Sequence, residues 1–419
     1  MRHLAVLLVC LPMVSLAADK PLTLDEALST ADAPNPDLAI AESDLAISLA
    51  DRDQAGSRQD FNLFIDGSLR SGKQPHQDWA PDNIGRIVAR KPLLDFGRTA
   101  QSIAAADQEI AARRQTLIEA RAARRIDLMA RFFDVLLADL QYTTDNEFMA
   151  VAFLVWNNAR ERLTLGQATK PQVLELEARF QDARERRATA ALQQRASRQK
   201  LANAMNRPDN LPSELAEPVL PGNERVLPDY ETLLPRILEH NPALQSLNAQ
   251  INASEARIAA IRADRNPTLD AEVLGASYSR ESVTRDQVSA GLLFNVPLYQ
   301  GGRVDARVAR ERAIHDRLLA QREKLKLSLN ATVLDTLHEI EWLRGSGRPA
   351  ADKQIEYRDW ALERARAEYE LEMKTNLGTS MAETQTALLR RKRVEYQLAL
   401  ALARLTALSG ELPDMHDIK

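Results

Sequence analysis

The chain of 419 residues holds a single cysteine, Cys10, so no intramolecular disulfide can form. Its 15 glycines are few for this length, and alanine, leucine, arginine, glutamate and glutamine crowd long stretches. That composition argues against an all-β sandwich or an ordinary Rossmann enzyme. Aromatic residues make up 5% of the chain. After the first 20 residues no apolar run approaches the ~18 residues that a membrane-spanning helix needs, and a mean hydropathy of -0.35 agrees. Strong charge of one sign is missing too. A formal net charge of -4 offers no electrostatic case for nucleic acid.

What is present begins with an export address. Arg2 and His3 precede the apolar stretch Leu4 to Leu11, and Ser15-Leu16-Ala17 fits the small-x-small cleavage rule. Cleavage after Ala17 removes Arg2 from the 55 basic residues, leaving 54 against 59 acidic ones. Val9 is a poor residue before a lipidated cysteine, so Cys10 is read as part of the signal segment 1–17.

The rest of the chain repeats itself. Asn35-Pro36 recurs as Asn241-Pro242, and Pro92-Leu93 with Gly97-Arg98 recurs as Pro297-Leu298 with Gly302-Arg303. Ala159-Arg160, Leu165 and Thr169 recur as Ala365-Arg366, Leu371 and Thr375. All three sets keep an offset of 205 or 206 residues, which single turn dipeptides would not do by chance. The expected organisation is a first repeat over 18–206, a proline-rich linker over 207–228, a second repeat over 229–410 and a tail over 411–419.

Each repeat reads in one order. Short helices come first, opened by the capping box Thr23-Leu24-Asp25-Glu26 in one half and by Asp229 in the other. The apolar period then changes from 3.6 to 2, predicting hairpins at about 61–94 and 268–298. Phe61, Leu63, Ile65 and Leu69 face away from Asn62, Asp66, Ser68 and Arg70; Val288, Ala290, Leu292 and Phe294 face away from Gln287, Ser289 and Asn295. One strand alternates poorly, because Arg86 and Arg90 share a side with Ile84 and Val88. Four strands of about ten residues are long enough to cross a bilayer when tilted. Alternation also suits a half-exposed soluble sheet, but two hairpins alone leave open edges: either partner subunits close the sheet or these segments are not strands.

Long helices follow, at about 98–165 and about 303–373, the first roughly 100 Å long by helix rise. Ile126, Met129, Phe133, Leu136 and Leu140 step 3-4-3-4, the seam of a coiled coil. Gly345-Ser346-Gly347-Arg348-Pro349 interrupts the second long helix and predicts an irregular loop there. Return helices are expected at about 171–206 and 379–409.

Helix, hairpin, very long helix, tight turn and return helix, twice, behind a signal peptide: this arrangement resembles the TolC-like outer-membrane efflux family. The most specific stretch is Phe294-Asn295-Val296-Pro297-Leu298-Tyr299-Gln300-Gly301-Gly302-Arg303, with Pro92-Leu93-Leu94-Asp95-Phe96-Gly97-Arg98 as its twin. It is similar to the family's junction, where a strand ends at proline and Gly-Arg opens the tunnel helix. The resemblance implies a mainly α fold with a small β part: a long α-helical coiled-coil barrel, and four strands per chain in a 12-stranded trimeric transmembrane β-barrel. It also implies a passive homotrimeric exit duct in the outer membrane. The duct would open at its periplasmic tip and serve a periplasmic adaptor and an inner-membrane RND, ABC or MFS transporter. The tip candidates are Gly166, Thr169, Gln172, Glu175, Tyr369, Lys374, Gly378, Met381 and Glu383; the junction candidates are Pro92, Gly97, Arg98, Pro297, Gly302 and Arg303. Family members often carry aspartates just after the tip turns, where this chain has Gln172, Gly378 and Met381, with Glu175, Glu177 and Glu383 nearby.

Enzyme chemistry finds no foothold. The six histidines, among them His76, His240, His315 and His338, have no second ligand at metal-binding spacing, and there is no P-loop, dinucleotide fingerprint or GxSxG. No cofactor is expected. The rival reading is a secreted or periplasmic coiled-coil scaffold without a barrel, for which such stripes would be plain helix packing.

Overall fold

A computed structural model describes residues 20–73, 78–210, 213–280, 285–371 and 376–413. The signal segment with Cys10, as well as His76, Lys374 and most of the tail, lies outside them.

The elements in chain order are α1 (Leu24–Ser29), α2 (Pro36–Gly56), β1 (Asn62–Ser68), β2 (Ser71–Gly72), β3 (Ala80–Pro81), β4 (Ile84–Leu94), α3 (Arg98–Thr164) and α4 (Lys170–Ala204). After the linker come α5 (Tyr230–His240), α6 (Pro242–Ala263), β5 (Thr268–Tyr278), β6 (Val288–Asn295), α7 (Arg303–Trp342), α8 (Arg348–Glu370) and α9 (Leu377–Leu408). Local chemistry explains many of the starts. Thr23 and Glu26 exchange hydrogen bonds of 3.2 and 3.0 Å, closing the capping box of α1. The repeated Asn-Pro has one job in both halves. Asn35 caps α2 by accepting from the Asp37 N–H at 2.8 Å, and Asn241 caps α6 by accepting from the Leu244 N–H at 3.1 Å. The proline stands at the first helical position, where its missing N–H is not needed.

One compact unit takes in Asp127–Pro221 and Arg348–Tyr396 together with the start of the described chain. Its core is built on α3, where Leu128, Phe132, Phe133 and Val135 are fully buried. The apolar stripe is therefore wider than a 3-4-3-4 seam, as expected of a helix packed on more than one neighbour. Phe133 stacks on Tyr396 of α9 with ring centres 4.5 Å apart. Burial holds the Tyr396 phenol well above its usual range, and Glu217 and Glu395 push in the same direction. The linker is stitched into this unit by a parallel bridge between Leu22 and Leu215.

The other unit comprises Pro34–Ile126, Gly222–Gly347 and the chain from Gln397 onward. Its sheet has the order β1-β4-β5-β6, antiparallel throughout, and its helical core includes Ile237, Leu244, Val333, Leu398 and Leu405. A further short pair, β2 with β3, extends the first hairpin.

Two expectations need correction. The Gly345 to Pro349 stretch is no irregular loop: Leu343–Gly347 forms a π-helical turn, and the helical path continues through Pro349 into α8. Pro349 directly follows the π turn, whose wider spacing makes room for its ring. The Arg344 guanidinium ties the turn down with bonds of 3.1 and 2.8 Å to the Asn223 carbonyl. Nor does the first strand-to-helix junction end its strand at proline. β4 runs through Pro92 to Leu94, and a register shift between Pro92 and Leu94 absorbs the residue that cannot donate to the ladder.

Candidate functional site

The sheet presents two unlike faces. Register sets Leu63, Ala89, Val273 and Ala290 side by side, and Ile65, Ile87, Gly275 and Val288 beside them. This face is apolar and open in the single chain, with Ile65 80% and Leu292 65% exposed. The opposite face carries the charges. Arg86 pairs with Asp66 directly across from it, and Arg90 donates to Glu272 directly across at 2.9 Å. That explains the strand whose alternation is poor: its arginines point to the apolar-poor side because each meets a carboxylate on a neighbouring strand. Val88 lies buried between them, level with Phe64 and Leu274. Beyond the hairpin end, Arg70 and Arg285 both reach Asp82, at 2.8 and 2.9 Å. Edges β1 and β6 carry no further strand among the described residues.

At the strand-to-helix junctions, Gly97 and Gly302 adopt φ of 87° and 76°, a left-handed conformation that favours glycine. Asp95, not a sequence candidate, caps α3 by accepting from the N–H groups of Gly97 at 3.1 Å and Thr99 at 2.8 Å. Burial pushes the Asp95 carboxyl up, but the bonds from Thr99 and Gly97 outweigh it and hold its pKa below the ordinary value. Arg98 reaches Asp264 at 3.2 Å, whereas Arg303 bonds Gln300 at 3.0 Å. Pro297 follows the end of β6.

The turn from α3 to α4 is closed by local bonds. Gly166 sits at φ 70°, and the Gln167 N–H donates back to the Arg162 carbonyl at 2.8 Å. Thr169 is extended, and the Gln172 side chain accepts from its N–H at 3.0 Å. Gln172 is thus a helix cap. Glu175 pairs with Arg179 along the exposed face of α4. Trp156 of α3 stacks on Phe180 of α4 at 5.2 Å, with the Arg160 guanidinium 5.3 Å from the Trp156 ring centre. In the second pair, Glu383 of α9 is bound to Arg358 of α8, and Tyr369 and Met381 are exposed. Gly378 lies so close to α3 that a Cβ there would meet Val151 Cγ2 at 2.9 Å.

The structure brings Thr169 and Gln172 together in one cap; it shows Gly378 and Glu383 in packing and ion-pair contacts. Asp95 was findable from its place four residues before Thr99 at a helix start. Asp264 was not, since its partners are distant in sequence.

Residues 233–411 match the outer membrane efflux protein family. The outer membrane efflux protein BepC of Brucella suis biovar 1 is 23% identical over 271 residues, 62% of this chain and 58% of that protein. The match therefore spans just over half the length of that relative. In fold, the outer membrane protein VceC of Vibrio cholerae is 18% identical with a TM-score of 0.72, over 93% of this chain and 97% of that one. The CmeC outer membrane channel of Campylobacter jejuni is 14% identical with a TM-score of 0.75, over 94% and 88% of the two chains.

Proposed function

We propose that the chain is an outer-membrane exit duct: its residues 233–411 match the outer membrane efflux protein family, and its fold is similar to outer-membrane channels over most of its length. It acts as a passive channel of a tripartite efflux or type I secretion system, and it is not an enzyme. The carrying observation is the sheet: an exposed apolar face, an ion-paired opposite face and two free edges. Lipid takes the first face, water the second. Free edges are not tolerated in lipid, so three copies join their strands, β6 of one beside β1 of the next, into a 12-stranded barrel. No described helix is long and apolar enough to cross a membrane.

The helices line a periplasmic tunnel whose entrance is formed by the turns around Gly166 to Gln172 and Lys374 to Met381. The partners are a periplasmic adaptor and an inner-membrane RND, ABC or MFS transporter, which supplies the energy. With Gln172, Gly378 and Met381 in place of the usual aspartates, the entrance carries a weak ring of negative charge. Pro92, Gly97, Arg98, Pro297, Gly302 and Arg303 shape the passage from barrel to tunnel.

The test is a pair of substitutions, one in β6 and one at the residue just before it. Leu292→Arg on the lipid face is expected to cost about 2–4 kcal/mol of insertion, while Gln287→Arg on the water face is tolerated. Trimer yield in mild detergent from the outer-membrane fraction reads the difference. Equal tolerance, or a monomeric mass, would favour the scaffold reading.

A further inference from the structure

Asp264 closes α6 as its C-cap and is the point from which the chain turns towards β5. Its carboxylate is shared. One oxygen meets Arg98, the first residue of α3, at 3.2 Å, and the other binds Arg307 in the second turn of α7. Its main-chain carbonyl accepts from Gln300 Nε2 at 2.8 Å, in the segment joining β6 to α7. The next residue, Arg265, pairs with Asp305 of α7 with the charges reversed. The Asp264 side chain is only 13% exposed.

The helices follow the order of the strands. α2 meets α3 through Arg52 and Asp107, α3 meets α6 through Glu109 and Arg257, and α6 meets α7 through Asp264 and Arg307. The sheet order β1-β4-β5-β6 is thus repeated in the helical layer below it. Three of the four strand-to-helix crossovers of a copy, those of β4, β5 and β6, converge on one carboxylate. The sequence repeat gives no hint of this, because Arg303, the twin of Arg98, bonds locally to Gln300 and leaves its place on Asp264 to Arg307.

We propose that Asp264 is a positioning residue that holds these crossovers at a fixed spacing and so sets the bore of the duct where sheet gives way to helices. The proposal rests on the duct reading above. Without the anion, Arg98 and Arg307 lose the carboxylate that both bind, and two like charges are left on either side of its place.

Full-length protein in planar bilayers supplies the readout: single-channel conductance and the size of polyethylene glycol that enters, with melting temperature as a control for folding. D264N is expected to shift conductance and polymer cut-off upward. The double exchange D264R/R307D restores the α6–α7 pair but sets two arginines against each other at position 98, so the bore stays shifted. Adding R98D to that exchange restores all pairs and returns the wild-type bore. A wild-type bore in D264N, or full recovery in the double exchange alone, overturns the proposal. Should D264N fail to assemble, the double and triple exchanges decide in the same way. A wild-type protein that opens no pore overturns the duct reading and this proposal with it, whereas an open wild-type pore indifferent to D264N overturns the proposal alone.

Discussion

The two repeats share an order of elements yet treat their long helices differently. α3 runs unbroken over 67 residues, whereas its counterpart is divided into α7 and α8 by the π turn Leu343–Gly347. The partners differ as well. Phe133 of α3 is 1% exposed and stacked on Tyr396, while its counterpart His338, 205 residues later, is exposed on α7. A duplicated architecture has kept its topology while its contacts went separate ways. Topology needs only matching periods and turns; each contact depends on what happens to stand opposite.

The largest effect should come from that first contrast. Phe133→Ala is expected to cost about 3–5 kcal/mol, since a fully buried aromatic side chain leaves a cavity. His338→Ala should stay within about 0.5 kcal/mol. Denaturant unfolding in detergent measures both, and comparable losses would erase the distinction between the repeats.

Next is the π turn. It holds one residue more than an α-helix would, so deleting Ser346 should straighten the second helix into a copy of the first. Pro349 would then stand in a helix interior, at a cost of about 3 kcal/mol. Pro349→Ala in the deletion variant should recover most of it. A deletion that is harmless with Pro349 in place would show that the proline does not explain the π turn.

A smaller contrast lies at the twin positions Gln172 and Gly378. Gly378→Ala pushes a methyl group towards Val151 Cγ2, 2.9 Å away, and should cost about 1–3 kcal/mol. Gln172→Ala loses only the bond from the Thr169 N–H, worth about 1 kcal/mol. Reversal of that order in melting experiments would place the tighter contact at the first turn.

The smallest effect is one of acidity. Asp95 caps the first junction with a lowered pKa, whereas its twin Gln300 does not titrate. The stability Asp95 adds is fully present above the unfolded aspartate value of about 3.9 and is lost as pH falls through the lower folded value. The gap between wild type and Asp95→Asn should therefore narrow only below about pH 4. A gap that already closes near neutral pH would mean the carboxylate is not the cap.

Local chemistry alone determined much of this protein. The offset of 205 or 206 residues, the change of period from 3.6 to 2 and the caps at Thr23, Asn35 and Asn241 are short-range signals, and the order of elements follows from them. The left-handed glycines at 97, 166 and 302 were legible for the same reason, because a tight turn tolerates little else. Tertiary structure decided what local rules cannot see. Arg86 and Arg90 looked misplaced until strand register set Asp66 and Glu272 opposite them. Gly345 to Pro349 resembled a break, yet a helix anchored at Asn223 accommodates one surplus residue by widening a turn. Gly378 reads as a turn residue, but its tolerance is set by Val151, 227 positions away. Asp264 gathers Arg98 and Arg307 because three crossovers meet in space. Such pairings depend on distances between elements, and a linear pattern carries no distances.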